Sequence, residues 1–185
     1  MTKAQLTVLA GPTAVGKGTV VAALTKRYPA LKVSVSATTR DPRTGELNGV
    51  HYYFVSPQEF DAMIERGDML EWALVHGKNK YGTPRGPVDE ALNAGHPVLL
   101  EIDLAGARQV RANRPDAQFI FLAPPSWEEL ERRLIGRGTE GPEEQARRLA
   151  TARVELQAAS EFDHVVINDD VERAVDELAR LIGLE

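Results

Sequence analysis

Cysteine is absent from the 185 residues. That excludes disulfides, a thiolate nucleophile and any zinc–sulfur centre, and it fits a reducing compartment. Aromatic residues are scarce, at 6%. Long apolar runs are missing too, since none approaches the ~20 residues that a membrane-spanning helix needs. Positive charge is in deficit, with a net charge of −5, which argues against a general binder of nucleic acid or of anionic membranes. Repeats and low-complexity linkers are also lacking. Met1-Thr2-Lys3 runs straight into the first expected strand, so no signal segment is expected. A cytoplasmic protein follows as the expectation, either monomer or homodimer.

What is present is an ordinary globular composition, 43% hydrophobic and 26% charged, enough for one domain with insertions. The chain is organised around Gly11-Pro12-Thr13-Ala14-Val15-Gly16-Lys17-Gly18-Thr19. An apolar run, Leu6 to Ala10, precedes it and a helix-spaced run follows. Strand, glycine-bounded loop with a lysine, then helix is the setting of a phosphate-binding loop. Its amides can converge on an anion, while Lys17 and the helix N-terminus add positive charge. Gly18 stands where the strict pattern has Ser or Thr, and the hydroxyl comes one place later, at Thr19. A bound Mg²⁺ would therefore be held mainly by nucleotide phosphates and water.

Apolar strands at 6–10, 31–35, 98–102, 118–122 and 164–167 alternate with helices. This rhythm predicts an α/β fold with a parallel sheet covered on both faces. Residues 1–35, 96–125 and 149–185 would form this core. Residues 36–95 interrupt the rhythm with short strands and a lone helix, as an inserted mixed α/β subdomain would. Two helices around Gly136-Arg137-Gly138 make 126–148 a helical lid. Capping boxes at Ser56 and Ser126 mark two helix starts. Residues 37–45 and 77–82 read as loops, and 51–55 as a strand. Ligands of open α/β sheets sit at the strand carboxyl ends, where Lys17, Ser36, Asp103 and Asn168 all fall.

A phosphate loop alone leaves ATPase, GTPase and kinase open. The Asn-Lys-x-Asp element by which a GTPase reads its base is missing. Arg40 and Arg43, three apart in a polar loop, suit a two-guanidinium clamp on a phosphate dianion.

The ordered set Ser34-x-Ser36-x-Thr38-Thr39-Arg40-x-x-Arg43, Gly49-x-x-Tyr52-x-Phe54, Glu71-Trp72-Ala73, Tyr81-Gly82-Thr83, Glu101-Ile102-Asp103, Arg137-Gly138-Thr139-Glu140 and Val166-Ile167-Asn168-Asp169 closely resembles the guanylate kinases of bacteria. It covers nearly the whole chain. The resemblance implies phosphoryl transfer from ATP to GMP, and also to dGMP, with Mg²⁺, on a core with a GMP-binding subdomain and a lid. By the same resemblance, Arg40, Arg43, Tyr52 and Tyr81 hold the GMP phosphate, and Ser36, Glu71, Thr83 and Glu101 read guanine. Glu71 has independent chemical support. Guanine offers adjacent N1–H and N2–H₂ donors that one carboxylate accepts together, and adenine does not.

The loop residues 11–19 are expected on ATP, with Lys17 at the β- and γ-phosphates. Arg137, with Arg133 and Arg148, would close from the lid, and Asn168 would lie on the adenine side. The expected catalytic group is Lys17, Arg40, Arg137 and Arg148, although Arg148 reads equally as a solvated helix face. Asp103 could support Mg²⁺ through water or simply cap the next helix, and Thr19 is a second candidate for the metal. A sugar-phosphate kinase would have no use for Ser36, Glu71 and Glu101. A guanylate-kinase-like peptide-binding module would typically lack the intact loop. Ala14 replaces a common glycine of the family, Thr13 a common serine and Glu101 a common aspartate.

Overall fold

Leu6–Ala10 (β1) is buried at all five positions, as a strand covered on both faces must be. In a computed structural model describing residues 4–136, Gly138 and 140–185, it is the centre of a five-stranded sheet. After β1 come Lys17–Arg27 (α1), Lys32–Val33 (β2), Ala37–Thr38 (β3), Tyr53–Phe54 (β4), Pro57–Glu65 (α2), Met69–Val75 (β5) and Asn79–Pro84 (β6). The chain continues through Arg85–Asn93 (α3), Val98–Glu101 (β7), Leu104–Asn113 (α4), Gln118–Ala123 (β8), Trp127–Ile135 (α5) and Pro142–Gln157 (α6). A 3₁₀ turn at Ala158–Glu161 then leads to His164–Ile167 (β9) and Val171–Ile182 (α7).

The core sheet has the order β2-β7-β1-β8-β9, and every pairing is parallel. Two apolar layers enclose it. Val20, Val21 and Leu24 of α1 pack with Val175, Leu178 and Ile182 of α7 on one face. Val88 of α3 packs with Ala107 and Val110 of α4 on the other. The expected α/β architecture is therefore present, and all five strand carboxyl ends share one rim.

The segment after β2 builds a second sheet, β4-β3-β6-β5, over a cluster of Ala37, Phe60 and Met69. Several local expectations are corrected here. The strand expected over 31–35 is ordered only at Lys32–Val33. Most of the 51–55 strand is also shorter, at Tyr53–Phe54. Conversely, residues 37–38 and 79–82, read as loop, belong to strands β3 and β6. Asn79, Lys80, Gly82 and Pro84 have poor strand propensity, so pairing with β5 and β3 imposes the extended form. The hairpin turns at His76 and Gly77, both with positive φ, as a type I′ turn requires. Helix α3 follows directly, starting at Arg85.

The helix starts marked by Ser56 and Ser126 are capped by the serine hydroxyls. Ser56 Oγ accepts from Glu59 N–H at 3.0 Å, and Ser126 Oγ from Glu129 N–H at 3.1 Å. Between α5 and α6, Leu130, Leu134 and Ala152 make a separate small cluster, against which Ala14 of the loop packs.

Gly11 shows how closely the loop is fitted to the sheet. A Cβ there would lie 2.4 Å from the Leu122 carbonyl oxygen and 3.3 Å from Val15 Cγ1. That carbonyl belongs to strand β8 beside the sheet's centre and has little room to retreat. Gly11→Ala should destabilise the protein by about 1–3 kcal/mol, the usual range for overpacking a filled site. Urea denaturation checks this, and an unshifted midpoint would mean the loop has another way past β8.

Candidate active site

The glycine-bounded loop curls back on itself where β1 ends, with Val15 N–H donating to the Pro12 carbonyl at 3.2 Å. Ala14 has φ 69° and Gly16 φ 96°. The left-handed conformation at Ala14 costs an L-residue about 1–2 kcal/mol. Gly16 has a second constraint, because a Cβ would stand 2.8 Å from Asn168 Nδ2. That amide donates to the Val15 carbonyl at 2.8 Å, and Arg133 Nη1 donates to the same oxygen at 3.2 Å. Asn168, expected on the adenine side, and Arg133, expected on ATP, are thus both fastened to the loop backbone. Thr13, Gly18 and Thr19 are exposed, and an added Cβ at Gly18 would meet nothing within 4 Å.

Lys17 opens α1. Its ammonium donates to the Gly11 carbonyl at 3.1 Å and to the Ile102 carbonyl at 3.4 Å, so it spans the ends of β1 and β7. Burial pushes its pKa down, and the charges of Glu101, Glu155 and Asp103 oppose that shift. Asp103 is the N-cap of α4, accepting from Gly106 N–H at 2.7 Å. One of its oxygens is therefore committed to the capping role that the sequence left open. Glu101 is exposed at the end of β7 and is the foremost charge acting on Lys17.

Glu155 of α6 escaped the sequence reading. It faces the Lys17 ammonium and the Thr13 amide, with burial the main influence raising its pKa. Only folding brings α6 against the loop, through Ala152, Leu156 and Ala14. No local signal could have disclosed it.

The second sheet holds the other residue group. Glu71 and Thr83 are opposite one another on β5 and β6, and the Thr83 hydroxyl donates to Glu71 Oε1 at 2.8 Å. Glu71 is only 9% exposed, and burial raises its pKa despite the hydrogen bond from Thr83. Ser36 stands between β2 and β3, its carbonyl accepting from Tyr53 N–H at 2.8 Å.

Nearby, Arg40 Cζ lies 5.2 Å from the Tyr52 ring centroid. The Tyr52 and Tyr81 rings are 6.0 Å apart. Arg40, Arg43 and Tyr81 line one pocket with His76 and Lys78, a predominantly cationic and polar lining suited to an anion. Thr38 and Thr39 fix this corner, since both hydroxyls bond Lys80 backbone atoms, at 3.1 and 3.0 Å.

Arg40 has a counter-ion that the sequence reading missed. Glu46 accepts from both of its terminal nitrogens, at 2.9 and 3.0 Å, and from Arg43 N–H at 2.7 Å. The hydrogen bonds from Arg40, then that from Arg43, lower the Glu46 pKa from 4.5 to about 2. A depressed carboxyl stabilises the fold above its unfolded pKa and loses that contribution as pH falls toward its folded one. Replacing Glu46 by glutamine should therefore flatten the stability profile between pH 4.5 and about 2. Urea midpoints at stepped pH check this, and an unaltered profile would refute the pairing.

Arg148 is paired within the 126–148 region and its helix, to Glu140 and Glu144. Arg137 lies outside the described residues. Among those described, no group of three or more metal-ligating side chains occurs, and no helix is long and apolar enough to cross a membrane.

An all-parallel sheet, a glycine-bounded loop on its carboxyl rim and a lysine seated on carbonyls there define a phosphate-loop protein of the nucleotide-binding α/β class. A family model described as guanylate kinase matches residues 3–185. A guanylate kinase of Leifsonia xyli subsp. xyli is 61% identical over 177 residues, covering 96% of this chain and 70% of that protein. One of Thermobifida fusca is 61% identical over 179 residues, covering 97% and 91%. The crystal structure of guanylate kinase from Anaplasma phagocytophilum has a TM-score of 0.70 at 31% identity, covering 97% of this chain and 84% of that one. The chain belongs to the guanylate kinase family.

Proposed function

We infer that the chain transfers the γ-phosphoryl group of ATP to GMP, giving ADP and GDP, and accepts dGMP as well. The observation that carries this reading is the pairing of two sites. A phosphate loop with Lys17 lies on the core rim, and a buried carboxylate, Glu71 bonded to Thr83, lies on the inserted sheet beside a cationic pocket.

In this reading the amides of residues 11–19 and Lys17 take the ATP phosphates. Arg40, Arg43, Tyr52 and Tyr81 grip the GMP phosphate, with Arg40 exchanging Glu46 for substrate. Glu71 accepts from guanine N1–H and N2–H₂, Thr83 orients Glu71, and Ser36 and Glu101 complete the base pocket. Asn168 supports the adenine side while holding the loop. An oxygen of the GMP phosphate attacks the γ-phosphorus as the bond to the β–γ bridging oxygen breaks. That nucleophile is largely ionised at neutral pH (second pKa about 6), so no general base is needed. Positioning and charge do most of the work, with Arg137, Arg133 and Arg148 closing onto the charge that spreads during transfer.

The donor set suits Mg²⁺ held mainly by nucleotide phosphates and water. Thr19 is exposed near the loop and Asp103 has one oxygen uncommitted to its cap, and carboxylates are too few for an all-protein cage. Such an ion would offset phosphate charge. Residues 1–35, 96–125 and 149–185 act as the core, 36–95 as the GMP-binding subdomain and 126–148 as the lid, in a cytoplasmic enzyme.

The direct test is ADP release from magnesium-ATP with GMP, AMP, UMP or no acceptor. Release that depends on GMP is expected. Steady release without acceptor, or equal rates with AMP, would overturn the reading.

A further inference from the structure

Glu71 can select a purine only if its carboxylate is aimed, and the strand that bears it is irregular at that point. The β5–β6 register shifts between Met69 and Glu71. A bulge of this kind leaves backbone groups unpaired and re-aims the next side chain. Because β5 is also the outer strand of its sheet, its outward backbone groups need partners, and these come from the core. Asn113 Nδ2 donates to the Leu70 carbonyl at 2.9 Å. Gln109 takes Trp72 with both ends of its amide, accepting from the N–H at 3.0 Å and donating to the carbonyl at 2.9 Å. The two residues flanking Glu71 are thus pinned by two side chains of α4.

A third residue of the same helix acts on the carboxylate itself. A Cβ at Gly106 would lie 3.1 Å from Glu71 Oε2. Bare backbone lets that oxygen rest against the first turn of α4, while Oε1 is taken by Thr83. Gly106, Gln109 and Asn113 follow helical spacing and share one face. The same helix starts at Asp103, whose charge is felt by both Lys17 and Glu71. One rigid element therefore connects the phosphate rim to the base-reading strand.

We propose that Gln109 and Gly106 are positioning residues for purine selection, Gln109 by clamping the backbone after Glu71 and Gly106 by leaving room for its carboxylate. The inference rests on the reading of Glu71 as the guanine acceptor. Neither residue stands out in the sequence, because each acts through a strand some 35 residues away.

The experiment compares three variants with the parent protein. Gln109→Leu removes both hydrogen bonds at similar length. Gln109→Glu keeps the acceptor for Trp72 N–H but cannot donate to the carbonyl. Gly106→Ala crowds the Glu71 carboxylate and, at the same 3.1 Å, the Asp103 cap oxygen, while favouring the helix. Steady-state KM and kcat are measured for GMP, for IMP, which lacks the 2-amino group, and for ATP, together with the thermal midpoint.

Gln109→Leu should raise the KM for GMP about tenfold and shrink the GMP-over-IMP preference, with the ATP KM within about twofold of the parent. Gln109→Glu should fall between it and the parent. Gly106→Ala should weaken GMP in the same selective way with a midpoint unchanged or raised, which a merely structural role would not produce. A GMP-selective parent whose variants keep its GMP KM and GMP-over-IMP ratio would overturn this inference alone. So would GMP and ATP KM values that rise together with a lowered midpoint. A parent that does not phosphorylate GMP would instead defeat the underlying reading, and this inference with it.

Discussion

Lys17→Ala should lower turnover by about a thousandfold or more, while affinity for GMP changes little. The scale is that of removing a cation placed on the transferring phosphoryl group. Lys17 is already poised for that role by the Gly11 and Ile102 carbonyls, at 3.1 and 3.4 Å. Reaching a phosphate means exchanging two neutral acceptors for a charged one, which strengthens the bond. Most residues proposed for GMP lie on the other sheet; Glu101, at the end of β7, is the exception and bears on this ammonium through its charge. Rates with saturating substrates and calorimetric titration with GMP give the two readings. Turnover within about tenfold of the parent, only some 1.4 kcal/mol of barrier, would remove the lysine from the mechanism.

Glu71→Gln should separate selectivity from stability. The carboxylate offers two acceptors, matching the N1–H and N2–H₂ donors of guanine. A glutamine amide offers one acceptor and one donor, which match adenine N6–H₂ and N1 instead. The preference for GMP over AMP should fall by about 10- to 100-fold, the scale of one bidentate base contact at roughly 1–3 kcal/mol. Stability should move the other way. Burial raises the Glu71 pKa above its ordinary 4.5. A group with a raised folded pKa contributes stability below its unfolded pKa and loses it as pH rises through the folded one. At neutral pH, well above the ordinary carboxylate range, burial of Glu71 therefore weighs against the fold, and the neutral amide should leave the unfolding midpoint equal or higher. An unaltered GMP/AMP ratio would refute the base-reading role, and a large drop in midpoint would refute the account of its burial.

Those parts of the molecule set by neighbours in sequence were readable in advance. The loop from Gly11 to Thr19, the five core strands and the Ser56 and Ser126 caps each declare themselves within a few residues. Where long-range pairing decides, reading failed. β6 contains Lys80, Gly82 and Pro84 and is a strand because β5 and β3 flank it. Glu46 was hidden among turn residues, although its contact with Arg40 is only six positions long. Glu155 meets Lys17 only after α6 has packed against the loop. Asn168 was visible as a strand-end polar group, but its grip on Val15 depends on the left-handed turn at Gly16.

The uniform strand direction has a practical corollary. Every amino end of the core sheet emerges on the rim opposite Lys17, where the turn through Ala94 and Gly95 enters β7. Ala94 is solvent-facing, and the chain contains no native thiol. A single engineered Ala94→Cys would offer one chemically unique anchor for a fluorophore or a solid support, leaving the nucleotide-facing side unobstructed.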